Sequence, residues 1–172
     1  MKLLQIILKR RSVRTYKDAE IPEEVLREIL KAGLLAPTSR NLKPCGFYLV
    51  KDKETLRKLA EVKGGGAEML KDAGAAIVVV CDSEKADTWL EDSAITLSYM
   101  DLAAAENGIG SCWSQIYLRK GKDGSDAEAN VRKVLNLEEK WRIAAILSLG
   151  IPENEPAAHR EDEADFTKVH II

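Results

Sequence analysis

The sequence has few of the residues from which metal centres and disulfide frameworks are built. Of its 172 residues only two are histidine (His159 and His170) and three are cysteine (Cys45, Cys81 and Cys112). None of these residues form a pair with metal-ligand spacing. An odd number of widely spaced cysteines favours reduced thiols in the cytosol over a disulfide framework. The composition therefore predicts no metal site, reduced thiols and a cytoplasmic location.

Long hydrophobic runs and an excess of one charge are also missing. The longest structured apolar run, residues 75–81, is far shorter than the ~20 residues that cross a bilayer. The N-terminal segment turns basic at Lys9, before it has the apolar core of a signal peptide. Lys plus Arg is 26, Asp plus Glu is 28, and aromatic residues are 5%, which argues against a nucleic-acid-binding protein. We therefore expect neither membrane nor nucleic-acid partners.

Catalytic motifs based on protein side chains are absent as well. The sequence has no G-x-S-x-G motif and no glycine-rich loop ending in Lys-Ser or Lys-Thr, so hydrolase and P-loop functions are disfavoured. The run of three glycines at 64–66 lacks the dinucleotide-binding spacing and is interpreted as a turn. If the protein is an enzyme, we expect a cofactor to carry the chemistry.

The length and the lack of a linker or repeat favour one domain over residues 1–172. Hydrophobic periodicity predicts an alternation of helices and strands, hence an α/β or α+β domain. The predicted helices cover residues 2–9, 22–36, 53–61, 67–73, 92–107 and 126–136, and the strands cover 47–50, 75–81, 110–115 and 143–149.

Two of these segments suggest burial against another surface. The helix at 92–107 is apolar nearly all round, so it is expected in a core or a subunit interface. The apolar terminus at 169–172 is expected to dock, with a partner subunit as one candidate surface.

Residues 9–14 are the first candidate site, because four cations and a hydroxyl occupy six positions. Arg10, Ser12 and Arg14 point the same way if the backbone is extended. Two guanidinium groups flanking a hydroxyl suit a phosphate, whose oxygens accept paired hydrogen bonds. A solvated basic turn is the alternative, and the spacing alone favours it.

Residues 36–44 and 108–113 are the other two candidate segments. The first places hydroxyls and an amide between two prolines, and can present donors and acceptors to a flat heterocycle. The second, GIGSCW, allows close backbone approach to a ligand beside an indole. An ordinary connection explains the first better by composition, and a buried strand explains the second nearly as well. Cys112 is interpreted as a buried strand cysteine rather than a reactive thiol.

Taken together, these segments resemble the nitroreductase family of flavin enzymes. The resemblance rests on RRSVR-x-Y, IL-x-AG-x-x-AP-T-S-x-N, D-x-x-x-x-x-x-Y-x-x-x-AA-x-x-x-G-I-G-S-C-W, LSLGIP and KVH, which run along nearly the whole chain. It implies an α+β fold, a three-layer α-β-α sandwich with a central, mostly antiparallel sheet, in a domain-exchanged homodimer. It also implies FMN bound across the subunit interface, and transfer of two electrons from NADH or NADPH to nitroaromatics, quinones or related acceptors.

Carried over residue by residue, the resemblance assigns the cofactor-binding positions but no catalytic side chain, because hydride passes through flavin N5. The FMN phosphate and ribityl chain fall to Arg10, Arg11, Ser12 and Arg14, with Arg160 returning to the phosphate. The other subunit contributes Pro37, Thr38, Ser39 and Asn41, while Trp113, Ser114 and Gln115 offer backbone N–H groups beside the isoalloxazine ring. The departures are Lys43, Cys45 and Ile116, where many members have Gln, Trp and Gly; the isoleucine could crowd the flavin edge.

Two functional classes remain open at this point. The first is an FMN-dependent NAD(P)H oxidoreductase in which nicotinamide and acceptor bind alternately. The second is a non-catalytic flavin-binding protein for storage or sensing. The sequence leaves the acceptor and the choice between NADH and NADPH undetermined.

Overall fold

Four strands form the central sheet: β1 (Cys45–Val50), β2 (Ala75–Asp82), β3 (Gly110–Gln115) and β4 (Trp141–Gly150). These bounds come from a computed structural model, which describes residues 2–172. The strand order is β1-β2-β4-β3, and every neighbouring pair is antiparallel. The expected α+β fold with an antiparallel sheet is therefore confirmed, with β1 and β3 at its two edges.

The helices are α1 (Leu3–Lys9), α2 (Glu23–Leu35), α3 (Lys53–Ala60), α4 (Trp89–Glu106) and α5 (Ala127–Leu135). The helix predicted over 67–73 is instead a 3-10 turn, Glu68–Asp72. Helix α4 begins three residues before its predicted start, because Trp89 already packs in the core at 8% exposure.

Alternate residues of the buried strand β2 face the two outer layers. Ile77 and Val79 belong to the core formed with α2 and α4, whereas Ala76 and Val78 pack in the core formed with α3 and α5. All four side chains have 0% exposure. Burial at roughly 25 cal/mol per Å² of apolar surface makes these two cores the main stabilising element. The expected three-layer α-β-α sandwich is thus the observed arrangement.

The cysteine prediction is wrong for one pair. Cys45 and Cys81 lie directly opposite each other in the β1–β2 ladder and form a disulfide, with 4.2 Å between their Cα atoms. The neighbouring bond from Asp82 N to Pro44 O makes this a non-hydrogen-bonded pair, the position at which antiparallel strands come closest. A separation of 36 residues along the chain conceals this register. Cys112 remains a free, buried thiol, as predicted.

Apolar side chains remain exposed along α1, on the outer face of α4 and in the C-terminal tail. Leu3 and Leu4 are 63% and 60% exposed, Tyr99 is 44% exposed, and Phe166 and Ile171 are 78% and 96% exposed. Exposed apolar groups on several neighbouring elements are typical of a surface that binds another protein. Within residues 2–172, none of the helices combines the length and apolar character needed to cross a membrane.

Candidate active site

The candidate site is built on the outer edge of β3. Ile116 N donates to Ala144 O, while Val13 N donates to Ser111 O at 2.8 Å from outside the sheet. Because the hydrogen-bonding direction alternates along an antiparallel strand, Trp113 and Gln115 also direct their N–H and C=O groups away from β4. The edge therefore presents backbone donors that no strand of the sheet takes up.

The segment from Arg10 to Tyr16 lies along the first part of this edge. Gly110 allows the close approach, since a Cβ there would lie 2.8 Å from Val13 Cγ1. The Tyr16 hydroxyl donates to Val13 O at 2.7 Å and lies 2.7 Å from Ser148 Oγ on β4. Burial raises the pKa of Tyr16, so this hydroxyl stays protonated. Tyr16 thus fixes the extended backbone that the basic cluster requires.

The side chains of the basic cluster take two directions. Ser12 and Arg14 are exposed around the buried Val13, as extended alternation predicts. Arg10 is half-buried and lies 3.4 Å from the Asp101 carboxylate on α4. Arg11 instead turns towards the C-terminal tail, where it donates to Ala157 O at 2.9 Å. The guanidinium groups of Arg10 and Arg11 therefore both have a partner within the chain, and that of Arg11 is turned away from the edge.

Two titratable groups, Asp101 and Cys112, lie beneath this cluster, and burial raises the pKa of both. Asp101 accepts a hydrogen bond from Ser111 Oγ, and burial raises the pKa of its carboxyl against the lowering effects of Ser111 and Arg10. Burial also raises the pKa of the Cys112 thiol, outweighing the lowering effects of Arg14 and Ser12. A thiol with a raised pKa is a poor nucleophile near neutral pH.

The three predicted ring-contacting residues of β3 differ in what they can offer. Trp113 is 37% exposed and donates through Nε1 to Gln115 Oε1 at 2.9 Å, so the two side chains share the outer face. Ser114 is fully buried, and its hydroxyl donates to Gly66 O at 3.0 Å. Its backbone N–H faces β4, opposite Ile146. The backbone donors of the open edge are therefore those of Trp113 and Gln115 alone.

Ile116 does not crowd this edge, contrary to the expectation from sequence. Its side chain is fully buried in the core formed with α3 and α5. Alternation along β3 places it on the opposite side from Trp113 and Gln115.

The loop with Pro37, Thr38, Ser39 and Asn41 is held in a strained conformation at the start of α4. The buried Asp92 accepts from Ser39 N at 2.8 Å, and Thr38 Oγ1 accepts from Lys43 N at 3.0 Å. Three of its residues are left-handed although none is glycine: Arg40 (φ 51°), Asn41 (φ 54°) and Lys43 (φ 49°). Such conformations concentrate in loops that bind ligands.

The structure does not bring this loop to the basic cluster of the same chain. The loop is fixed to Asp92, and the cluster is fixed to Asp101, nine residues later on α4. At 1.5 Å per residue these anchors are about 14 Å apart along the helix. The two segments are therefore held apart along α4 within one chain.

Arg160 reaches the neighbourhood of the cluster through its backbone. His159 N donates to Leu8 O at 2.8 Å, which places the tail beside the end of α1. The Arg160 guanidinium itself pairs with Asp162, with Nε 2.8 Å from the carboxylate. Its role towards a phosphate stays a prediction.

Comparisons with known proteins agree with this architecture. The family model described as the Nitroreductase family matches residues 7–66 and 61–151. An FMN-dependent nitroreductase from Clostridium difficile R20291 is 41% identical and superimposes with a TM-score of 0.95 over 98% of both chains. An NADH dehydrogenase of Thermus thermophilus is 30% identical over 86% of this chain and 85% of its own. The NADPH:FMN oxidoreductase of Vibrio harveyi, solved with NAD+, has 25% identity and a TM-score of 0.79 over 98% of this chain and 76% of its own. The chain belongs to the nitroreductase family.

Sequence reasoning missed three residues that organise the site: Lys63, Asp92 and Asp101. Asp92 opens a motif quoted for the resemblance, but its bond to Ser39 depends on packing between α4 and the loop. Asp101 falls on a variable position of the same motif, and Lys63 lies outside every motif quoted. A charged residue inside an apolar helix was the available signal for Asp101, and a cation before a glycine run was the signal for Lys63.

We expect Asp92→Ala to lower the free energy of unfolding by about 1–3 kcal/mol, because Ser39 N loses its acceptor in a part-buried position. Asp92→Asn keeps one acceptor oxygen and should lose less. Urea unfolding followed by circular dichroism measures the difference. Glu91→Ala, at the exposed neighbouring position, is the matched control. Equal stabilities of the Asp92→Ala and Glu91→Ala variants would contradict the anchoring role.

Proposed function

We propose that this protein is an FMN-dependent oxidoreductase that transfers hydride from NADH or NADPH to a nitroaromatic, quinone or related small acceptor. The observation that carries the proposal is the open edge of β3, which presents two backbone N–H groups next to the basic cluster of residues 10–14. The names of the C. difficile and V. harveyi relatives support FMN and a nicotinamide nucleotide as the partners of this edge.

The donors on this edge fit the chemistry of FMN. Arg10, Ser12 and Arg14 combine two guanidinium groups with a hydroxyl, which suits the phosphate and the ribityl chain. The free N–H groups of Trp113 and Gln115 suit the nitrogen and oxygen acceptors of the isoalloxazine edge, and the exposed indole adds a flat apolar surface. When bound, FMN would supply the group that takes a hydride (two electrons and one proton) from nicotinamide C4 and that later gives two electrons to the acceptor.

The side chains of this site bind and orient; none is arranged to transfer a proton. The Cys112 thiol is buried with a raised pKa, and the Asp101 carboxyl is held by Ser111 and Arg10. The protons needed by the acceptor therefore come from water or from the cofactor. Holding the reactants in line is the contribution left to the protein.

The working unit that we propose is a homodimer in which each site uses two chains. Within one chain, the loop with Pro37, Thr38, Ser39 and Asn41 is anchored about 14 Å along α4 from the anchor of the basic cluster, and we propose that the loop completes the site of the second chain. The exposed apolar groups of α1, α4 and the tail supply the surface for such a dimer. Lys43 is exposed on this same loop and would add a positive charge next to the site of the second chain.

The phosphate cluster predicts tighter binding of FMN than of riboflavin. Replacing Arg10 and Arg14 together with Ala should weaken FMN by about 10²- to 10⁴-fold, because each charge-assisted hydrogen bond contributes about 1.5–3 kcal/mol. Riboflavin, which has no phosphate, should be nearly unaffected. Fluorescence titration of both ligands measures this, with Arg27→Ala/Arg57→Ala, two exposed arginines on α2 and α3, as the control. Equal losses for both ligands would show that the cluster does not hold the phosphate.

Anaerobic mixing of the FMN-loaded protein with NADH or NADPH should bleach the flavin absorbance. Deuterium at nicotinamide C4 should slow the bleaching, and steady-state double-reciprocal plots should be parallel because both substrates use one site in turn. Cys112→Ala should retain most of the rate, whereas loss of a general acid or base costs about 10²- to 10⁴-fold. A Cys112→Ala protein that keeps FMN but loses turnover would indicate a thiol mechanism. Failure of both nucleotides to bleach the flavin would favour the non-catalytic flavin-binding protein.

Deletion of residues 166–172 should weaken the dimer and the retention of FMN together, because it removes the exposed Phe166, Val169 and Ile171. Sedimentation velocity at micromolar concentration, with the flavin absorbance recorded in the same run, follows both properties. A full-length monomer that is fully loaded with FMN would refute the two-chain site.

A further inference from the structure

Lys63 is a buried cation that the proposed chemistry has not used. It follows α3 and precedes the three glycines, and it is 8% exposed. Its Nζ donates to Gln115 O at 2.9 Å. Among residues 2–172, no carboxylate lies within ion-pairing distance of Nζ, and Gln115 O is its hydrogen-bond acceptor. An ammonium group has three donors, so this one is buried with most of its capacity unused.

The charges around Lys63 do not neutralise it. Burial and the neighbouring Arg119 lower the pKa of Lys63, and the opposing effects of Glu68 and Cys112 are smaller. The Glu68 carboxylate is exposed and accepts from backbone N–H groups of its own turn, including that of Gly66. Burying an unpaired charge is unfavourable, and its retention is a common mark of a functional site.

The position of the ammonium is fixed relative to the open edge of β3. Gln115 O lies on this edge together with the free N–H groups of Gln115 and Trp113. A second bond, from Ser114 Oγ to Gly66 O at 3.0 Å, ties the glycine turn to the same strand. The cation is therefore held beside the backbone donors assigned above to the isoalloxazine ring.

We propose that Lys63 is a positioning residue that holds positive charge beside the FMN ring, through Gln115, and thereby makes bound FMN easier to reduce. This inference rests on the proposed function. Two-electron reduction adds negative charge to the ring system, and a fixed cation stabilises the more negative form. Partial burial strengthens the effect, since water screens it less.

The test is the two-electron midpoint potential of FMN bound to the holoenzyme, measured together with the Kd of oxidised FMN and the thermal unfolding temperature. Lys63→Met removes the charge and keeps an apolar chain. Its affinity for reduced relative to oxidised FMN should fall about tenfold, which corresponds to a potential about 30 mV lower for a two-electron couple. Lys63→Gln retains a donor for Gln115 O without the charge and should show the same loss, even if Lys63→Met does not fold.

Two variants separate charge from structure. Lys63→Arg keeps the cation and should keep the wild-type potential. Lys71→Met removes an exposed lysine that pairs with Asp72 nearby in the chain, and should leave the potential unchanged. A wild-type potential in FMN-loaded Lys63→Gln would overturn the inference and leave Lys63 as a structural tie. Failure of the wild-type protein to bind FMN would instead contradict the proposed function itself.

Discussion

The candidate site depends on one strand edge that the sheet leaves open. β3 pairs with β4 on one side, and the backbone groups on its other side must find partners elsewhere or in solvent. Val13 takes up the first of them at Ser111, and Lys63 takes up the last at Gln115 O. The donors between these two attachments remain available to a planar ligand. The same edge that would otherwise invite aggregation thus becomes a binding surface bounded by protein at both ends.

Helix α4 sets the distance between the two halves of this surface. Asp92 in its first turn anchors the strained loop, and Asp101, nine residues further along the helix, anchors the basic cluster. Since an α-helix is stiff at this length, the two anchors stay about 14 Å apart within one chain. Ile95 and Tyr99 are exposed on the outward face of α4, which belongs to the apolar surface assigned above to the proposed dimer. In the proposed homodimer, this one helix would therefore position both halves of the site.

Much of the fold could be predicted from the sequence, because periodicity and residue burial agree along most of the chain. The continuous apolar run of residues 75–81 predicts β2, and the strand predicted over residues 110–115 coincides with β3. The disulfide, the Asp92 anchor and the Lys63 contact could not be predicted in this way, because each joins residues more than 30 positions apart. Such contacts depend on strand register and helix packing, which single-sequence patterns do not contain.

The buried position of Ile116 means that specificity for the acceptor must depend on other residues. A bulky residue in place of glycine suggested a narrowed edge, yet the pleat of β3 directs this side chain into the core. The edge itself is lined by the backbone and by Trp113, which impose little selection among flat acceptors. Groups at the mouth of the site would then select among acceptors. In the proposed homodimer, the strained loop of residues 37–43 is the segment that the second chain would place there. Arg40, which is paired with Asp87, and Lys43 give this loop two cations, so in the proposed two-chain site the loop would distinguish acceptors and nucleotides by their charge.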